Sequence, residues 1–341
     1  MTMNRECDRR EYWVDAVKAF ACLLVVLGHF FQSMKTAGII SGGAVYNWFN
    51  DTIYCFHVPL FFICSGYLYQ KYTKFNGFAD WRKHVLKKFL ALGVPYFVFS
   101  TITWLLKNVF SGSVNSAMEN GLLKTLFVSP VSPYWYLYII FFMFLLTPVF
   151  QNKKFAVGVF AVAVALKIFS IIGVFSEIYV VSLLFEYEIW FVLGMIFAYI
   201  GAGQYINGKT TVLFAIVGVV FFVSSIIVQI LSINFRIVDF ALGLLACGSI
   251  VVCFYNFFSY SLAGPIKWLS KYTLPVFLMH TIFAAPLRIV LVKVGITNFA
   301  IHTILGLLIS IAGPIFAAFI MGKIPYFDFL LYPNKCIKKE K

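Results

Sequence analysis

The sequence predicts an all-α fold: a polytopic membrane bundle of about ten transmembrane helices, with both termini cytoplasmic. Three observations lead there. Of 341 residues, 62% are hydrophobic and 12% charged, with a mean hydropathy of +0.90; soluble domains carry about 25% charged residues. The apolar runs are continuous over roughly 20 residues, the length a helix needs to cross a bilayer, and do not alternate as barrel strands do. The cations fall mostly between the runs and crowd alternate connections, the pattern that orients membrane helices with basic loops inside. The net charge of +14 therefore reads as topology and not as affinity for nucleic acid.

The first run, 14–34, follows Arg5, Arg9 and Arg10 and has no small-residue cleavage site, so it reads as an uncleaved anchor. It contains Asp15, Lys18 and His29. Ionisable groups inside a span are costly and face a bundle interior or a cavity. Lys18 and His29 are eleven residues apart, about three turns, hence on nearly one face and roughly 16 Å apart along the axis. An elongated molecule along that face would meet a cation at one end and a base at the other.

The second run, 52–70, returns inward and brings His57 to a depth similar to that of His29. A basic connection, 71–88, ends in Lys87 and Lys88 and leads into the third run, 89–110. The Ser-, Asn- and Gly-rich connection 111–134 lies outside and ends at Ser132-Pro133. The fourth run, 135–150, is short and opens on Trp135, Tyr136 and Tyr138, which suit an interfacial aromatic belt or a platform for stacking a sugar. Lys153 and Lys154 mark the inner boundary before the fifth run, 155–175, which holds Lys167 nearly at mid-membrane. There it needs a partner or a water-filled cavity. The sixth run, 184–201, starts outside with Glu186 and Glu188. The seventh and eighth are 210–231 and 237–258, with Asp239 at the outer end of the latter. The ninth, 272–293, places His280 about eight residues from its cytoplasmic end, and the tenth is 299–321. His84 and His302 read as loop or interface residues. The connections are too short for a soluble domain, so residues 1–341 form one integral-membrane domain.

Imidazole exchanges a proton near neutral pH, which suits general-base work on a hydroxyl. His29 and His57 are the candidates; the alternative is that each bonds a backbone carbonyl. Glu186, Glu188 or Asp239 could orient an imidazole or bind a sugar hydroxyl, or simply reach interfacial water. The stretch Trp81 to Lys88, WRKHVLKK, could hold cofactor phosphates, although positive-inside topology accounts for its charge. No phosphate loop, GxSxG elbow or HExxH motif occurs. Seven cysteines form no CxxC pair, and neither a disulfide nor a metal site is expected.

Four stretches, in order, resemble the membrane acyltransferase-3 family, bacterial integral-membrane enzymes that O-acylate surface glycans. VDAVKAFACLLVVLGHF is similar to the family's first-span pattern through Asp15 and His29, with Lys18 where the family usually has Arg. FHVPLFFICSGYL, Phe56 to Leu68, is similar to its second-span signature. WYL, Trp135 to Leu137, and LSKYTLPVFLMH, Leu269 to His280, resemble two later motifs. A basic element ahead of Pro95-Tyr96 is not intact, since Leu90 and Ala91 stand where basic residues often occur. The resemblance implies a bacterial inner-membrane O-acyltransferase, with acetyl-CoA as the cytoplasmic acyl donor and a cell-surface carbohydrate as acceptor. His29 and His57 would form the catalytic centre. Lys18, Lys87 and Lys88 would hold the donor, and Glu186 and Trp135 the acceptor. No metal is implied, and the oligomeric state is left open. The rival readings are a glycan or lipid-linked sugar transporter without catalysis, and a scaffold subunit that has lost it.

Overall fold

The computed structural model describes residues 10–112 and 120–334. Arg5, Arg9 and the tail cations beyond 334, which entered the orientation argument, lie outside the described residues, as do Cys7 and Cys336. Among the described residues every regular element is a helix. Nine helical stretches among the described residues are long and apolar enough to cross a bilayer, and one further apolar helix there, Trp135–Leu146, is shorter. The predicted multi-pass helical bundle is therefore what forms.

The chain starts with α1 (Tyr12–Thr36). The end of the bundle where α1 begins is called basal below, and the opposite end distal. The second crossing starts earlier than its hydropathy suggested, as α2 (Ala44–Tyr54) and α3 (His57–Tyr72), with a break at Cys55 and Phe56. Glu11, just before α1, bridges to Lys71 at the end of α3 over 2.5 Å and accepts from the Tyr72 hydroxyl. Burial pushes the Glu11 carboxyl up, but the bonds from Lys71 and Tyr72 outweigh it and hold the carboxyl below its usual value.

Next, α4 (Phe78–Lys88) continues through a π-helical turn (Phe89–Gly93) into α5 (Val94–Val109). Pro95 cannot donate to the carbonyl four residues back and its ring crowds that carbonyl, so the turn ahead of it widens. Then come α6 (Leu122–Phe127) and α7 (Trp135–Leu146). The fourth run was expected to reach 150, but α7 ends at Leu146. Thr147, extended at φ −87° and ψ 116°, precedes Pro148, and a residue before proline avoids the helical region.

The distal-to-basal and basal-to-distal crossings then alternate through α8 (Lys153–Ile171), α9 (Tyr179–Tyr199), α10 (Gly208–Ile230) and α11 (Arg236–Phe258). A short α12 (Gly264–Ser270) precedes α13 (Thr273–Lys293), α14 (Phe299–Met321) and α15 (Asp328–Leu331). Asparagine side chains cap three of these starts: Asn152, Asn207 and Asn298 accept from the third backbone N–H beyond them at 3.0–3.1 Å. An Asn here satisfies a donor that the helix leaves open.

The centre of the bundle is α3, whose stretch has 83% of its apolar window buried, against 11% for α10 at the periphery. α3 packs backbone to backbone on α9. A Cβ on Gly66 would stand 1.9 Å from the Phe191 carbonyl oxygen, and one on Gly194 would stand 2.0 Å from that of Ile63. Small residues let membrane helices approach this closely. Gly66→Ala must push two helices apart, and overpacking of this kind costs about 1–3 kcal/mol. A lowered unfolding temperature in detergent is the expected result; a wild-type temperature would mean that the crossing is looser than described.

Candidate functional site

The distal half of the bundle gathers three histidines from three helices. His29 of α1 and His280 of α13 have ring centroids 5.4 Å apart, and His57, the first residue of α3, is close enough for its charge to act on His29. Helix geometry fixes two of the rings. The Nδ1–H of His57 donates to the Ile53 carbonyl at 2.6 Å, and that of His280 donates to Val276 and Phe277 at 3.0 Å. In a neutral imidazole this leaves Nε2 as the acceptor. The Nε2 of His280 is buried and has no partner. His57 and His280 are each 1% exposed, whereas His29 remains half-buried, with Nε2 3.5 Å from the Ser132 hydroxyl.

His280 lies in α13 about eight residues from its start, as expected, and the packing of α13 on α1 brings it level with His29. The Cys22 thiol donates to the Thr273 carbonyl at 3.5 Å, so α13 begins beside the middle of α1. His29 and His280 each lie seven residues beyond that contact and reach one level. α12 packs beside α1 just ahead of α13. Tyr134, fully buried, fixes the level by donating to the Leu278 carbonyl at 2.9 Å.

Toward the basal end lie the cations. Lys18 and Lys88 are near enough for their charges to repel, and the Lys88 ammonium rests 3.8 Å above the Phe144 ring. No salt bridge among the described residues neutralises either one. Lys88 is the last residue of α4, directly before the π-helical turn. Lys87, one residue earlier, is exposed, so the structure brings together two of the three expected donor-site lysines. His84, read from sequence as a loop or interface residue, lies in α4 against Tyr69 and Phe75 at 5.5 and 5.4 Å. Below them, a cavity of about 440 Å³ lies between Thr73–Asn76, Trp81 and residues 145–151.

At the distal end a second cavity, about 500 Å³, opens between the ends of α2, α8, α9, α10 and α11. Glu186 lines it. Its carboxylate accepts from the Lys167 ammonium and the Ser170 hydroxyl, which supplies the partner that Lys167 required. Lys167 sits one turn from the end of α8 and not at mid-membrane, because α8 stops at Ile171. Trp135 does not line this cavity; it touches Tyr187, which does, with centroids 5.2 Å apart. Glu188 faces the other way and accepts from the Thr147 hydroxyl at 2.6 Å. His302, expected at a loop or interface, is buried inside α14 and bonds the Ile296 carbonyl at 2.8 Å.

Compared with known proteins, residues 11–321 match the family described as Acyltransferase domain. The chain is 27% identical over 142 residues to nodulation protein NolL of Mesorhizobium japonicum (strain LMG 29417 / CECT 9101 / MAFF 303099). That stretch is 41% of this chain and 35% of the relative, so the match spans about a third of the curated protein. No solved structure matches.

Proposed function

This chain belongs to the family described as Acyltransferase domain, and from that premise we propose that it is a membrane O-acyltransferase acting on a carbohydrate. The basal end faces the cytoplasm of a bacterial inner membrane and receives acyl-CoA, most simply acetyl-CoA. The distal end meets a cell-surface glycan. The observation that supports this reading best is the placement of two cations, Lys18 and Lys88, in no salt bridge among the described residues, basal to a three-histidine cluster in one bundle.

Lys18 and Lys88 suit the phosphates of the donor, with Lys87 adding charge from the exposed side. His29, the accessible imidazole of the three, takes the proton from the acceptor hydroxyl at a ring nitrogen. The hydroxyl oxygen bonds to the thioester carbonyl carbon, the carbon–sulfur bond breaks, and the proton returns to the leaving thiolate. His57 and His280 hold the centre in a water-poor pocket. Their Nε2 atoms are acceptors, so they orient hydroxyl hydrogens without supplying competing protons. The products are an O-acyl sugar and free CoA.

Purified protein in nanodiscs, given acetyl-CoA and a glycan extract of the cell surface, is expected to release CoA in step with acylated sugar. Lys18→Ala is expected to raise the donor KM about tenfold, the effect of one lost charged contact, with acceptor KM unchanged. Lys18→Arg is expected to keep activity, since it preserves the cation. Glycan movement without CoA release would favour the transporter reading.

A further inference from the structure

The distal cavity has a wall chemistry that the proposed reaction does not use. Its floor is aromatic: Trp190 is 2% exposed, and Tyr54, Tyr187 and Phe240 stand beside it. Such faces suit the apolar side of a sugar ring. Between the rings lie the polar side chains of Ser225, Gln229 and Asn234.

The charges are unequal. Asp51, Glu186 and Asp239 line the cavity with one cation, Lys167. That lysine is bonded to Glu186, and Arg236, which does not line the cavity, donates to the Ser170 carbonyl at 2.7 Å. Asp51 and Asp239 act on each other electrostatically, and neither is in a salt bridge among the described residues. Both lie at the exposed mouth.

The cavity also adjoins the histidine centre. Tyr54 forms its wall and stands edge-on to His57, with centroids 4.6 Å apart. The same ring covers Gly28, the residue before His29, so closely that a Cβ there would meet it at 3.1 Å. The Tyr54 hydroxyl is buried on the side of Gln32. One aromatic ring therefore separates the cavity from the proposed base.

We propose that this cavity is the acceptor subsite and that it selects a sugar bearing a protonated amine over a neutral or acidic one. The sugar lies on Trp190 and Tyr187, its ammonium sits between Asp51 and Asp239 at the mouth, and its far side faces the Tyr54 ring that borders the histidine centre. This rests on the acyltransferase reading above for its function, but its binding chemistry can be measured without catalysis.

The test uses the purified full chain in nanodiscs with three probes: chitosan trimer, its fully N-acetylated counterpart and trigalacturonate. Isothermal titration is expected to show the chitosan trimer binding about tenfold more tightly than the N-acetylated trimer, as one charge-assisted contact implies, and trigalacturonate binding most weakly. The double variant Asp51→Asn, Asp239→Asn is expected to lose that preference with an unchanged unfolding temperature. Equal binding of all three, no binding of any, tighter binding of trigalacturonate or a preference that survives the double variant would each overturn the proposal. Failure of the acyltransferase reading is a separate result, seen as absence of CoA release with every acceptor while titration still discriminates.

Discussion

His29→Ala is expected to lower glycan acylation by about 10²–10⁴-fold, the contribution of a general base. A sugar hydroxyl is a weak nucleophile at neutral pH, and a base within hydrogen-bond reach is what makes it competent. His29 is half-buried, and its hydrogen bond to Ser132 is long at 3.5 Å. Little packing or bonding is lost with the ring, so expression and unfolding temperature are expected to stay near wild type. Free CoA and acylated sugar, followed together with purified enzyme, check the prediction. Wild-type production of both would take His29 out of the reaction and bring back the transporter and scaffold readings.

His280→Phe is expected to lower kcat by about 10²-fold, toward the lower end of the range for proton-handling groups, without loss of stability. An unsatisfied buried acceptor costs about 1–3 kcal/mol, and the Nε2 of His280 is one. Phe fills the same space without that atom, so the unfolding temperature should hold or rise as activity falls. A ring kept only for packing would show the opposite order of effects. His280→Gln is expected to recover part of kcat, because its amide oxygen can occupy the place of Nε2. Since His280 neighbours His29, the acid limb of the pH–rate profile is expected to move in His280→Phe. Full activity of His280→Phe would reduce the residue to a structural one.

The bundle was legible from the sequence because hydropathy and charge are one-dimensional properties. A run of about 20 apolar residues crosses a membrane whatever packs beside it. The placement of Lys18 and His29 on one face followed from helix periodicity alone. The family resemblance, read from four short stretches, agrees with the match over residues 11–321. The roles of His29, His57 and the lysines remain proposals carried by those positions.

What residue counting missed is relative depth. His280 was counted from the start of its own span, but α12 lies against α1 and α13 begins at the level of Cys22. The offset between two helices depends on the loops and contacts that join them, which no periodicity encodes. The same holds for Lys167, whose partner Glu186 is on another helix, and for Lys88, whose ammonium rests on Phe144 of α7. Trp135, which suited either an aromatic belt or a sugar platform, packs against Tyr187, a contact that the sequence does not announce. The sequence by itself determined that the chain is a multi-pass helical bundle and which side chains are costly to bury. The tertiary structure decided which of those side chains meet, because depth and rotation between helices are set by packing, down to the contact of Gly66 with the Phe191 carbonyl.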